Sequence, residues 1–264
     1  MNDRHLATCI PPLARHLRPG MRVLDVGSGP GSITREAGRL AAPGEVVGVD
    51  MEPAMVAHAH SVASAEGVAN VRFTVGNAAE LPFEDGAFDV VYSHAVLDWV
   101  TSPEAVVREK VRVTAPGGAV FLHASDLEHR ILHPPCPAVT LVVQMLRDES
   151  EHGRHDRPWN PFLGRRLVEL LHVAGVVDIQ VEAAAVSVHQ GTMKLTPQLA
   201  LPCWPLDSLL LAAPIRSLTS RGLLTPDIRA AVDAELDAWC RHPVAHMVRF
   251  AVSAWGVKPG AAAR

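Results

Sequence analysis

The residues best suited to chemistry lie between positions 23 and 50. Val23-Leu24-Asp25-Val26 runs directly into Gly27-Ser28-Gly29-Pro30-Gly31. Glycines at alternate positions suit a chain that turns sharply and a ligand that approaches the backbone closely. Asp50 closes the next apolar run, 19 residues after Gly31. In a strand–helix–strand unit this carboxylate arrives beside the loop, where it can accept hydrogen bonds from both hydroxyls of a ribose. Two ligand classes share that geometry. A dinucleotide wants a third glycine where this chain has Ser32, and a pyrophosphate facing a helix N-terminus. Asp25 opposes a pyrophosphate by charge and suits a ligand that carries an ammonium group. S-adenosylmethionine therefore fits the pattern better than a nicotinamide dinucleotide. Plainer readings stand beside these: Asp25 as the cap of a local turn, Met51 as ordinary core.

Histidine is the second source of chemistry, with 14 in the chain against one tyrosine. His94 follows an apolar run on the ligand side of the expected sheet, and His123 ends another. Each is a candidate general base for a hydroxyl nucleophile. His129 and His133, four residues apart, invite a metal reading together with His123, His152, His155, Cys136 and Asp126. Pro134, Pro135 and Pro137 break any regular helix through that set, and a His-Glu-x-x-His pattern is absent. No metal site is expected.

The elements that must position these residues alternate. Strands are expected at 21–26, 45–50, 71–76, 88–93 and 119–125, with helices at 31–41, 53–66 and 103–113. Strand–helix alternation of this kind argues for a mostly parallel sheet covered on both faces. The second half changes character. Helices are expected at 137–151, 163–174, 197–213 and 226–241, and strands at 176–188 and 247–258. Prolines punctuate it, yet no polar linker divides it from the first half. The 264 residues are 48% hydrophobic and 20% charged, with a net charge of −4, which excludes a generally basic nucleic-acid coat. No apolar run is long enough for a membrane span or a signal segment. Four cysteines without a CxxC pair form no disulfide framework and suit a reducing cytoplasm.

The loop, Asp50 and the segment GNAAELPFEDGAFDVVYSHAVLDWV (76–100) resemble the class I S-adenosylmethionine-dependent methyltransferases. The resemblance is strongest to the small-molecule group of ubiquinone and menaquinone biosynthesis. HLRPGMRVLDVGSGPGSIT (16–34), EVVGVDMEPAMV (45–56), VRVTAPGGAVFLHASD (111–126) and GRRLVELLHVAG (164–175) extend it. It covers residues 16 to about 180 well. The fold it implies is α/β: a Rossmann-like, doubly wound, mostly parallel seven-stranded sheet with an antiparallel last strand and helical insertions. Residues 1–264 are then a single domain, with a cofactor-binding core at 16–126. Insertions at 127–163 and 189–245 form a lid over the methyl acceptor.

The resemblance also implies roles. Gly27, Ser28, Gly29 and Gly31 pass against S-adenosylmethionine, Asp25 helps hold its amino end, Asp50 takes the ribose diol, and Met51 packs on the adenine. Asn77 stands where the family often has aspartate against the adenine amino group, and an amide oxygen can still accept that bond. Ala78 lets the base approach, and Ser93 lies near the methionine part. The reaction implied is methyl transfer to O, N or C of a small hydrophobic molecule, with His94 and then His123 as base. His5, Trp99, Trp159 and Trp204 are expected to line the acceptor pocket. A protein that binds the cofactor without methylating, or a rearrangement enzyme, is the alternative on this fold. An NAD-dependent oxidoreductase is disfavoured by Ser32 and Asp25.

Overall fold

A computed structural model describes residues 5–151, 160–189 and 212–260. Two short helices, α1 (Leu6–Cys9) and α2 (Pro11–His16), lead into strand β1 (Val23–Val26). Then come α3 (Ser32–Ala41), β2 (Val46–Asp50), α4 (Pro53–Ala65), β3 (Val71–Val75), β4 (Phe88–His94) and α5 (Pro103–Val113). Strand β5 (Thr114–His133), α6 (Pro137–Glu151), α7 (Leu167–Val173), β6 (Val177–His189), α8 (Ala212–Ser220), α9 (Pro226–Arg241) and β7 (His246–Val257) complete the chain. The seven strands form one sheet in the order β3-β2-β1-β4-β5-β7-β6.

Strands β1 to β5 pair in parallel, with Asp25 in register with Tyr92 and His94 with His123. Crossover helices cover both faces, so the central strands are mostly apolar, and every residue of β1, Asp25 included, is buried. Alternation then sorts the side chains. Val23, Val90, Tyr92 and Phe121 join Leu6, Leu13, Ile33, Ala37 and Ala59 on one face. Leu24, Val26, Val47 and Val91 pack on the other, as do Val120 and Leu122 with Val106, Val107, Leu167 and Leu171. Strand β7 runs antiparallel to β5. The Gly118 carbonyl accepts from Lys258 N, Phe121 stacks on Trp255, and His123 meets Ser253. The two sets of numbers run in opposite directions.

Four elements differ from expectation. Helices α1 and α2 had no counterpart in the pattern; Leu6, Ile10, Leu13 and Leu17 are buried, so tertiary packing supports them. Strand β5 begins at Thr114 rather than 119 and continues to His133, because Gly117 and Gly118 exchange backbone bonds with Lys258. The helix expected at 163–174 opens as a 3₁₀ turn at Leu163–Arg166 before α7. Most of the helix expected at 197–213 lies outside the described residues.

Contacts divide the chain into two compact units. One comprises 2–125, 157–183 and 251–264 and carries the glycine loop. The other comprises 126–156 and 184–250. Within it, α6 and α9 pack together and Trp239 Nε1 donates to the Pro134 carbonyl at 2.6 Å. Thr225 caps α9, its hydroxyl accepting from Ile228 N. Among the described residues no helix is long and apolar enough to cross a membrane.

Candidate functional site

The glycines of the loop differ in what they permit. Gly27, Gly29 and Gly31 have φ of 79°, 51° and 74°, all in the left-handed region. A Cβ on Gly27 would stand 2.2 Å from Val96 Cγ2, and one on Gly31 2.5 Å from Phe73 Cζ. A Cβ on Gly29 would meet nothing within 4 Å. The outer glycines thus admit neighbouring side chains, while the central one borders open space. The loop is held firmly around that space. Gly27 N and Ser28 N both donate to the Val49 carbonyl, at 2.7 and 2.9 Å, and Arg35 Nη1 donates to the Pro30 carbonyl at 3.0 Å. The Ser28 hydroxyl is buried and has no hydrogen-bond partner among the described residues. A buried polar atom without a partner is costly unless a ligand meets it.

Asp50 stands at the end of β2 with both oxygens engaged. Gly29 N donates to Oδ2 at 2.8 Å and Glu52 N donates to Oδ1 at 3.0 Å. A carboxylate offers about four lone-pair sites, so each oxygen keeps one for a diol. Met51, next in sequence, is 80% exposed, which removes the ordinary-core reading. A bare thioether side chain beside Asp50 is a ready surface for a flat apolar ring. Asn77 is exposed, and its Oδ1 accepts from Ala79 N at 3.0 Å, an Asx turn that leaves a second lone pair. Ala78 is half-buried behind it.

Asp25 points into the protein. Its Oδ2 accepts from Thr34 Oγ1 of α3, nine residues on, at 2.7 Å. Burial pushes its pKa up from 3.8 to about 6, against the pull of Thr34, Tyr92 and Lys110. Burial, then the Asp25 charge, hold the Tyr92 phenol well above its ordinary range. Lys110 of α5 is wholly buried; its Nζ donates to Ser93 Oγ at 2.7 Å and to the Phe121 carbonyl at 2.8 Å. Burial pushes this amine well below its usual range, partly offset by Asp25. Ser93 is therefore tied to α5 from within the sheet, and Lys110 ties β4 to β5 one strand residue before His94.

His94 closes β4. Its ring stacks on that of His123, with centroids 4.7 Å apart and planes 9° from parallel. His123 is buried, and its Nδ1 lies 2.9 Å from Ser253 Oγ on β7. The chain then turns through Ala95, whose φ is 54°, with Ala95 N donating to the His123 carbonyl at 2.9 Å. A left-handed alanine costs about 1–2 kcal/mol, and such strain gathers at functional sites. The turn delivers Val96 onto Gly27. The two histidines are thus brought together at one end of the sheet, beside the glycine loop.

Other expected positions are more scattered. His5 caps no helix with its side chain; its Nδ1 lies 2.6 Å from Glu36 Oε1 on α3, while Leu6 N donates to the other oxygen at 2.5 Å. Trp99 is half exposed, in a 3₁₀ turn at Leu97–Trp99. Trp159 and Trp204 lie outside the described residues, as do His152 and His155. Among the described residues no three histidine, cysteine, aspartate or glutamate side chains gather as a metal site. The sequence reading missed Thr34, Arg35, Phe73, Val96, Lys110 and Ser253. Their only signal was a polar residue within an apolar run, as for Ser253, or a lysine on the buried stripe of α5.

A family model described as a methyltransferase domain matches residues 17–169. An uncharacterized methyltransferase of Schizosaccharomyces pombe is 32% identical over 166 residues, covering 61% of this chain and 58% of that protein. A ubiquinone/menaquinone biosynthesis C-methyltransferase of Ectopseudomonas mendocina is 40% identical over 108 residues, covering 40% of this chain and 42% of its own length. The match thus spans less than two thirds of either relative. Among solved structures, the YcgJ protein of Bacillus subtilis superposes with a TM-score of 0.61 at 21% identity, over 94% of this chain and 97% of that one.

Proposed function

Because the chain belongs to the methyltransferase-domain family, we propose that it binds S-adenosylmethionine along Gly27–Gly31 and directs its methyl group to a small hydrophobic acceptor. The observation that carries this reading is the pairing of Asp50 with Gly29. The carboxylate is locked to the loop backbone with lone pairs to spare, beside the loop glycine that borders open space. Asp50 would hold the ribose diol, Met51 the adenine face, and the Ser28 hydroxyl a polar atom of the ligand. Bound there, the cofactor supplies an electrophilic methyl on a sulfonium whose leaving thioether needs no proton. The protein then has to align the acceptor and exclude water, which can lower a barrier by several kcal/mol.

Similarity to a quinone-biosynthesis C-methyltransferase supports a quinol-type ring as acceptor. We assign acceptor selection to segments 127–163 and 189–245, and the reaction to the cytoplasm. His94 is assigned as the base. The test is calorimetry with S-adenosylmethionine. Asp50→Ala should weaken binding by roughly 10- to 100-fold. Unchanged affinity in a folded variant overturns the assignment. Formation of S-adenosylhomocysteine from a quinol such as 1,4-dihydroxynaphthalene tests the transfer itself.

A further inference from the structure

We propose that Arg130, on the C-terminal part of β5, anchors a second binding site, one that takes the carboxylate of a small organic acid. The site lies wholly within the unit of 126–156 and 184–250, and the inference is independent of the methyl-transfer reading above. The two terminal nitrogens of Arg130, Nη1 and Nη2, are buried and have no hydrogen-bond partner among the described residues. They carry all but one of the N–H donors of the guanidinium. Burying such a cation without a partner is strongly unfavourable. Burial pulls its pKa down from its ordinary range to about 10, against the charge of Asp126. Arg130 is still a cation at neutral pH. The carboxylates close to it in sequence do not relieve it. Asp126, Glu128 and Arg130 occupy alternate positions, which share one face of a strand. Glu128 is paired with Arg147 of α6, and Asp126 Oδ1 accepts from Glu128 N at 3.1 Å. Neither carboxylate bonds to the terminal nitrogens of Arg130. Arg147 Nε is also buried without a hydrogen-bond partner, and Glu149, two residues on, is taken by Arg221. The strand and the helix tied to it thus both carry unmet donors.

The donors select the ligand. Two terminal nitrogens in one plane match the two oxygens of a carboxylate in a bidentate pair. A phosphate fits the same fork, but its second negative charge is repelled by the buried Asp126. A carboxylate brings a single charge and is the better match. The body of the ligand is apolar, since Val139, Val142, Val143 and Leu146 of α6 are buried in the same unit and apolar interiors favour hydrocarbon. Such a carboxylate has two sources, the methyl acceptor itself or a separate effector acid. Arg130 falls in the segment 127–163 to which acceptor selection is assigned above.

The experiment is calorimetry on the full chain near neutral pH, with three probes of one ring system: 1-naphthoate, the uncharged 1-naphthamide and 1-naphthyl phosphate. Naphthoate should bind. The amide should bind roughly 10- to 100-fold more weakly, the range of a charge-assisted hydrogen bond, and the phosphate more weakly than the carboxylate. Arg130→Met should bring naphthoate down to the affinity of the amide. Arg130→Lys keeps the charge and loses the fork, so it should retain only part of the difference. Equal affinity for naphthoate and naphthamide, tighter binding of the phosphate, binding of none of the three, or a preference that survives Arg130→Met overturns the site. If Arg130→Met does not fold, Arg130→Lys decides, and a preference equal to the parent's overturns it. A hydroxyl-bearing probe, 1-hydroxy-2-naphthoate with S-adenosylmethionine, separates the two sources. Methylation by the parent and not by Arg130→Met places the carboxylate on the acceptor. Arg130-dependent binding without methylation places it on an effector. Failure of the parent to bind S-adenosylmethionine while naphthoate still binds marks failure of the methyl-transfer reading and leaves this site standing.

Discussion

Asp25 sits in a poor place for a charge. It is buried at the end of β1, and burial raises its pKa from 3.8 to about 6 despite the Thr34 hydroxyl. An unfolded aspartate would lose its proton near 3.8. Folding therefore takes up a proton between these values. The stabilising contribution is complete below pH 4 and is lost as pH rises through 6. Above that, the carboxylate costs the ligand-free fold on the order of 2–3 kcal/mol. Asp25→Asn keeps an acceptor for Thr34 and removes the charge. Denaturant unfolding should show it more stable than the parent at pH 8 and no more stable near pH 4. If the carboxylate also faces a ligand's ammonium, the same variant should bind S-adenosylmethionine more weakly at pH 8. Gain of stability with unchanged affinity would reduce Asp25 to a local cap. The residue type was visible in the sequence. Its burial and its partner on α3 were not, because both depend on how the helix folds back on the strand.

At the scale of elements, the loop after β1 and the turn after β4 are a matched pair. Gly27 has no room for a side chain because Val96 fills the space, and Val96 is aimed there by the left-handed Ala95. Gly27→Ala should cost about 2–5 kcal/mol, from left-handed strain and overpacking together. Adding Val96→Ala should return about 1–3 kcal/mol of that through the shared contact. Urea unfolding of the four-member cycle reads the coupling directly, and additivity would show that the two turns do not touch. Sequence reading saw the glycines as a ligand loop. It could not tell that two of the three serve packing against Val96 and Phe73, since those contacts join separate strands. Arg112 illustrates the same limit. It donates to the carbonyls of Leu81 and Phe83 and to Asp85, clamping the Leu-Pro-Phe-Glu-Asp-Gly turn that made the family recognisable.

At the scale of the whole molecule, every residue assigned to the cofactor falls within the unit built from 2–125, 157–183 and 251–264. The unit of 126–156 and 184–250 has its own anchor in the Trp239–Pro134 bond. Trp239→Leu should lower the stability of that unit, seen as faster amide exchange in α6 and α9, while affinity for S-adenosylmethionine stays within about twofold. A loss of affinity as large as that of Asp50→Ala would show the units to be energetically inseparable. The sequence by itself determined the α/β class, the strand and helix positions of the first half, the glycine loop and Asp50. Those strand and helix positions run from β1 to α5, since α1 and α2 were not legible, and they rest on local periodicity and on backbone conformations that only glycine adopts readily. Only the tertiary structure decided that Met51 is bare, that Lys110 is buried beneath Ser93, and that His94, His123 and Ser253 share one edge. Those facts arise from the order of strands in the sheet. Inserting β7 antiparallel beside β5 places Ser253 next to a residue 130 positions away, and no local pattern encodes such a neighbour.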